Sequence, residues 1–268
     1  AEKFKQPVLF TKDDVAKVMK QWHGVEYHAP IIIGSGSDKV IATFGNAGHI
    51  LGSSFLTLEA EGKKIIFSGD LGNSPSPIIG AREVAPTDAD YAIMESTYGD
   101  RIHESMEERK GLLEDRIEET AKRKGVLMIP SFAIERTQEL LHDIDHFCQV
   151  ENCQKPSFFL DSPLAEKVTQ VFKKYPLYLS PEIQSEFEAN NFFGLERVKL
   201  TFTKEESQAI FEKPNPKVII AGSGMLNGGR ILHHLINYLG SPNNTLLIVG
   251  YQSKGTLGRR LLNGEAEV

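Results

Sequence analysis

The second half of the chain consists of short apolar runs, each followed by a stretch of helical pattern, and few architectures accommodate that alternation. Residues 126–129 precede a helical pattern over 133–148, and residues 157–160 precede one over 164–174. Residues 198–202 precede a helix over 204–212, residues 218–221 precede one over 229–239, and residues 246–249 close the series before a helix over 256–262. Strands that read as continuous apolar runs are buried on both faces, so this pattern predicts an α/β fold with a mainly parallel sheet between helices. On such sheets ligands collect beyond the carboxyl ends of the strands.

The first hundred residues read differently. After a short helix that opens at Thr11 with Asp13 and Asp14 in its first turn, strands and turns dominate, with strands over 41–44, 55–59, 64–68 and 91–95. Residues 55–59 and 64–67 form a hairpin turned at Glu61-Gly62-Lys63. Pro75, Pro77 and Gly80 mark an exposed loop. The change of pattern divides the chain into residues 1–100 and 101–268.

That hairpin can carry His49, in Gly48-His49-Ile50-Leu51-Gly52, and Asp70, in Ser68-Gly69-Asp70, to one edge of a sheet. Imidazole and carboxylate on a rigid edge are half of a zinc site; a polar turn histidine and a loop aspartate are the simpler reading of the same pair. Three loops in the second half have phosphate-binding character. They are Pro130-Ser131-Phe132 leading to Arg136, Asp161-Ser162-Pro163, and Gly222-Ser223-Gly224-Met225 leading to Gly228-Gly229-Arg230. Serine hydroxyls, glycine-exposed amides and helix N-termini hold phosphate without reading sequence, and arginine adds a bidentate donor. Arg136 can equally pair with Glu139, and Gly222-Ser223-Gly224 can be a tight strand-to-helix turn. Asp161 reads as a helix cap. His233 and His234 diverge by about 100° on a helix and read as packing residues. His142 and His146 enclose Asp-Ile-Asp and lack the glutamate of a metalloprotease helix.

The motifs Gly45-Asn46-Ala47-Gly48-His49-Ile50-Leu51-Gly52-Ser53, Phe67-Ser68-Gly69-Asp70 and Glu95-Ser96-Thr97-Tyr98-Gly99 together resemble the β-CASP ribonucleases. These are metallo-β-lactamase-fold nucleases related to the mRNA 3′-end cleavage and polyadenylation endonuclease. The likeness continues through residues 129–136 and 222–234 and ends near 249–252, in the family's order. It implies a partial metallo-β-lactamase αββα domain over 1–100 and a β-CASP domain over 101–268. It also implies zinc-dependent hydrolysis of single-stranded RNA at a site holding two zincs. His49 matches a zinc ligand and Asp70 the carboxylate that bridges the metals. Glu95 matches the acid that orients a catalytic histidine. Ser131, Arg136, Ser223, Gly224, Met225 and Arg230 fall where the family contacts its substrate.

The match is incomplete. The eight histidines include no His-x-His pair, so the family's His-x-His-x-Asp-His run is missing, as are its last two β-CASP motifs. The expectation is a fragment that binds zinc weakly and cuts little; a chain opening at Ala1-Glu2-Lys3 agrees with it. A non-catalytic RNA-binding or scaffold paralogue is the alternative, and a homodimer stays open. Composition suits a core-forming protein, with 40% hydrophobic and 25% charged residues. No apolar run is long enough to span a bilayer, so no membrane partner is expected. Two cysteines, Cys148 and Cys153, are too few for a disulfide framework and suggest a reducing cytoplasm. A net charge of −6 argues against a protein that coats nucleic acid, although a local basic groove can still draw phosphate in.

Overall fold

A computed structural model describes residues 7–73, 76–150, 156–188 and 195–265. Cys153 and Pro75 lie outside them. The chain separates into two compact units, and the division crosses the sequence five times instead of once near residue 100. The first unit takes the chain up to Asn46, Ser54–Gly69 and Val84–Met94; the second takes Ala47–Ser53, Asp70–Glu83 and everything from Glu95.

The first unit holds helix α1 (Lys12–Met19) and strands β1 (Ile31–Ile33), β2 (Val40–Asn46), β3 (Ser54–Ala60), β4 (Lys63–Phe67) and β5 (Tyr91–Ile93). Thr11 caps α1 in a capping box with Asp14. The strands form one sheet in the order β1-β2-β3-β4-β5. The hairpin pairs Leu56 with Phe67 and Ala60 with Lys63. Both β2 and β4 run antiparallel to β3, and β5 runs parallel to β4. The carboxyl ends of β2, β4 and β5 therefore share one edge, and the segments leaving it carry His49, Asp70 and Glu95.

The second unit contains a five-stranded, all-parallel sheet in the order β10-β6-β9-β7-β8. Its strands are β6 (Val126–Pro130), β7 (Ser157–Asp161), β8 (Val198–Leu200), β9 (Lys217–Ala221) and β10 (Thr245–Leu246). Successive side chains point to opposite faces and enter two separate cores. Leu127, Ile129, Val218, Ile220, Phe158 and Leu160 join one core. Helices α2 (Met106–Lys122), α3 (Arg136–Val150), α4 (Pro163–Phe172) and α5 (Pro181–Glu188) contribute Ile117, Leu141, Phe172 and Ile183 to it. Val126, Met128, Ile219 and Phe159 enter the other, with Ile231 and Leu235 of α7 (Ile231–Tyr238). Helices α6 (Lys204–Ala209) and α8 (Leu257–Leu262) complete the unit. The α/β fold and parallel sheet expected from the apolar runs are thus present.

Three of the differences from the sequence reading concern loops and helix starts. The loop around Pro77 is anchored, not exposed: Ile78 and Ile79 are buried in the first core, and Ile79 bridges Leu179. Helix α3 starts at Arg136 instead of Ala133, because Glu135 adopts a left-handed conformation with φ 64° and stops the helix from extending back. Ser162, not Asp161, caps α4, accepting from the Ala165 amide with Pro163 in the first turn. Cys148 is buried in the first core.

Candidate functional site

The loops bearing His49, Asp70 and Glu95 are bound to each other. The Gly72 amide donates to the Ala47 carbonyl at 2.9 Å. Gly72 comes so close to the Gly48 carbonyl that a Cβ there would sit 1.6 Å from its oxygen, so only glycine fits. The His49 and Ile50 amides both donate to Ser53 Oγ, at 2.9 and 3.1 Å, closing a tight turn that leaves the His49 side chain exposed. Glu95 Oε1 accepts from the Leu71 amide at 2.6 Å, which fixes the backbone next to Asp70. Burial pushes the Glu95 carboxyl up, but the Leu71 amide, Thr97 and the positive field of His49 outweigh it and hold it below the usual range. Glu95 therefore remains an ionised acceptor.

The zinc pair implied by the resemblance needs more donors than this. Among the described residues no three His, Cys, Asp or Glu side chains converge to hold a metal ion. A catalytic zinc takes about three protein ligands. His49 and Asp70 are exposed side chains on adjoining loops, and together they do not make a self-contained metal centre. His142 pairs with Glu186 at 3.2 Å and His146 is exposed, so neither adds to the set.

The second group of site residues lies at the carboxyl edge of the parallel sheet. Pro130, Ala221 and Asp161 sit side by side in register, so the loops after β6, β9 and β7 leave from one row. They line a groove of about 340 Å³ formed by Ser131, Phe132, Ser162, Gly222, Ser223, Gly224, Gly229 and Arg230, with Asp161 at its floor. Gly229 has φ 77°, and a Cβ there would lie 2.2 Å from the Gly222 carbonyl oxygen, which forces glycine at this turn. Ser131 is buried and Thr137 Oγ1 donates to its hydroxyl at 3.0 Å. Ser223 Oγ accepts from the Asn227 amide at 3.1 Å. Arg136 and Met225 are not among the groove's lining residues. Arg136 pairs with Glu139, and the Met225 carbonyl accepts from Gly258 at 3.3 Å. A cavity of about 430 Å³ at the β3–β4 turn is lined by the Lys63–Asp90 and Lys64–Asp88 pairs and lacks such loops.

Arg230 is held from beneath by a buried carboxylate. Asp161 is fully buried and its Oδ1 accepts from Thr201 Oγ1 at 2.6 Å and Arg230 Nη1 at 2.7 Å. Its Oδ2 accepts from Ser207 Oγ at 2.6 Å and His234 Nε2 at 2.7 Å. Arg230 also donates to the Thr201 and Phe202 carbonyls, at 3.1 and 2.8 Å. Burial alone would raise the Asp161 carboxyl; hydrogen bonds from His234, Ser207, Thr201 and Arg230 reverse that and hold it well below the carboxylate range. Sequence spacing missed this network because its members come from β7, α6, α7 and the loops between. The available signal was an acidic residue closing an otherwise apolar strand, Phe158-Phe159-Leu160-Asp161.

Sequence comparison shows what the chain resembles. A Beta-Casp domain model matches residues 137–261. Ribonuclease TTHA0252 of Thermus thermophilus is 37% identical over 258 residues, covering 95% of this chain and 58% of its own length. This chain carries a Beta-Casp domain and is similar to a protein named as a ribonuclease. An RNase J-like protein of Methanocaldococcus jannaschii is 33% identical, across 97% of this chain and 59% of its own. Endoribonuclease YSH1 of Yarrowia lipolytica is 29% identical, across 98% and 31%. The chain therefore spans less than three-fifths of these relatives' lengths. Among the described residues no helix is long and apolar enough to cross a membrane.

Proposed function

We propose that this chain is the RNA-handling part of a zinc-dependent ribonuclease that hydrolyses phosphodiester bonds in single-stranded RNA. His49 and Asp70 supply part of the metal-ligand set. Glu95 acts by position: its carboxylate holds the Leu71 amide and so sets the backbone beside Asp70. The groove at the end of the parallel sheet takes backbone phosphates. Arg230 and the glycine-exposed amides of residues 222–229 provide donors that carry no base identity.

The observation that supports this reading most is the company the donor loops keep. The segments carrying His49, Asp70 and Glu95 belong to the same compact unit as the serine- and glycine-lined groove. A hydrolase of RNA needs its metal ligands and its phosphate grip on one rigid body. The relatives' names, ribonuclease and endoribonuclease, point the same way.

The test uses a protein of the relatives' full length and a fluorescent single-stranded RNA. Asp70→Asn and His49→Ala should abolish cleavage and lower bound zinc by elemental analysis, with RNA retained in a gel-shift. Full cleavage by both variants would overturn the assignment of these residues.

A further inference from the structure

Four aromatic rings and Arg259, from distant parts of the sequence, gather on the second unit, outside both of its apolar cores. Tyr98, three residues after Glu95, meets His103 edge to face with ring centroids 4.3 Å apart. It meets Tyr251 in the same manner at 5.7 Å and an interplanar angle of 89°. The Arg259 guanidinium lies 5.7 Å above the Tyr251 ring and is held there by donating to the Gln252 carbonyl at 2.8 Å. Burial raises the Tyr98 hydroxyl, and the positive charges of Arg136 and Arg101 act against it. The Phe132 ring lies against Gly224 and beside Gly250, the neighbour of Tyr251, and so joins this group to the groove.

His103, Phe132 and Tyr251 are exposed. Aromatic side chains that serve only packing are found inside a core; here they stand at the surface, beside the Arg259 guanidinium. That combination suits unpaired bases, whose π faces stack on aromatic rings while arginines neutralise the neighbouring phosphates. A duplex has its base faces already covered, so the same surface discriminates against it.

We propose that Tyr98, His103 and Tyr251 form a base-stacking subsite for single-stranded RNA, continued by Phe132 into the phosphate groove and flanked by Arg259. The proposal rests on the RNA reading above and adds to it contact with bases, where the groove contacts only the backbone. It places a base three residues along the chain from Glu95, whose carboxylate fixes the Asp70 loop.

Fluorescence anisotropy with this chain, without added metal, tests it using three labelled probes of one length: single-stranded oligoadenylate, an abasic ribose-phosphate oligomer, and an RNA duplex. Oligoadenylate should bind roughly tenfold tighter than the abasic strand. Tyr251→Ala should remove that difference while leaving the salt dependence unchanged, since no phosphate contact is lost. Tyr251→Phe should keep it. His103→Ala, on an exposed position, should reduce the difference and serves if Tyr251→Ala fails to fold. Equal binding of oligoadenylate and abasic strand by the unaltered protein overturns the subsite and leaves the phosphate groove standing. Absence of binding to every probe overturns the RNA reading itself.

Discussion

Asp161→Asn should destabilise the second unit by about 2–4 kcal/mol. Asparagine keeps an oxygen for Thr201 and Arg230, but the bond to Arg230 no longer joins two charges and loses about 1 kcal/mol. The amide NH₂ then faces two donors, Ser207 Oγ and His234 Nε2. The Ser207 hydroxyl can rotate to accept. His234 can accept at Nε2 only by moving its proton to Nδ1, which is buried without a partner. An unsatisfied buried donor costs about 1–3 kcal/mol, which makes up the rest. In thermal melts at pH 7 this corresponds to a fall of about 5–15 °C. The sign of the pH dependence follows from the depressed carboxyl. Its contribution is fully present above the unfolded value of about 3.9 and is lost as pH falls below it. The gap between the unaltered protein and Asp161→Asn should therefore narrow on acidification below about pH 4. A difference under about 0.5 kcal/mol at pH 7, the range of an ordinary surface substitution, or a gap that widens in acid would refute the account of this network.

Two further perturbations follow from buried or paired charges. Glu135 is pushed up to about 8, first by burial and then by the charge of Glu139, which outweigh the opposing effects of the Leu51 backbone amide and Arg136. The folded state keeps a proton that the unfolded chain releases above about 4.3, so the unaltered protein loses stability as pH rises through that window. Urea titrations should show Glu135→Gln gaining relative to it between pH 5 and 8; a pH-independent difference contradicts this. Arg136 lies outside the groove and pairs with Glu139, so Arg136→Ala should lower the thermal midpoint while leaving single-stranded RNA affinity and its salt slope unchanged. Weakened binding with a log–log salt slope shallower by about 0.7 would instead give Arg136 a phosphate contact.

The parallel sheet was legible because its strands are buried on both faces and so read as unbroken apolar runs, as in Val126–Pro130 and residues 218–221. Helix starts were legible where a capping side chain stood before the helix, as Thr11 and Thr256 do. Ser105 and Glu108 form a capping box of the same kind that opens α2. The division near residue 100 followed the change from hairpins to alternating strands and helices. It could not register that Ile78 and Ile79 draw the loop after Asp70 into the other unit's core. Asp161 read as a cap because its partners lie 40 to 73 positions further on. The aromatic surface was invisible for the same reason: its rings come from three segments that only folding brings together.

The central claim is that these residues grip single-stranded RNA while holding only part of a zinc site. It is tested most directly by mixing this purified chain with single-stranded RNA and zinc, and following binding, cleavage and bound metal together. Salt-dependent RNA binding, well under one zinc per chain by elemental analysis and no cleavage is the predicted result. A tightly held zinc equivalent with cleavage, or no affinity for RNA at low salt, would contradict it.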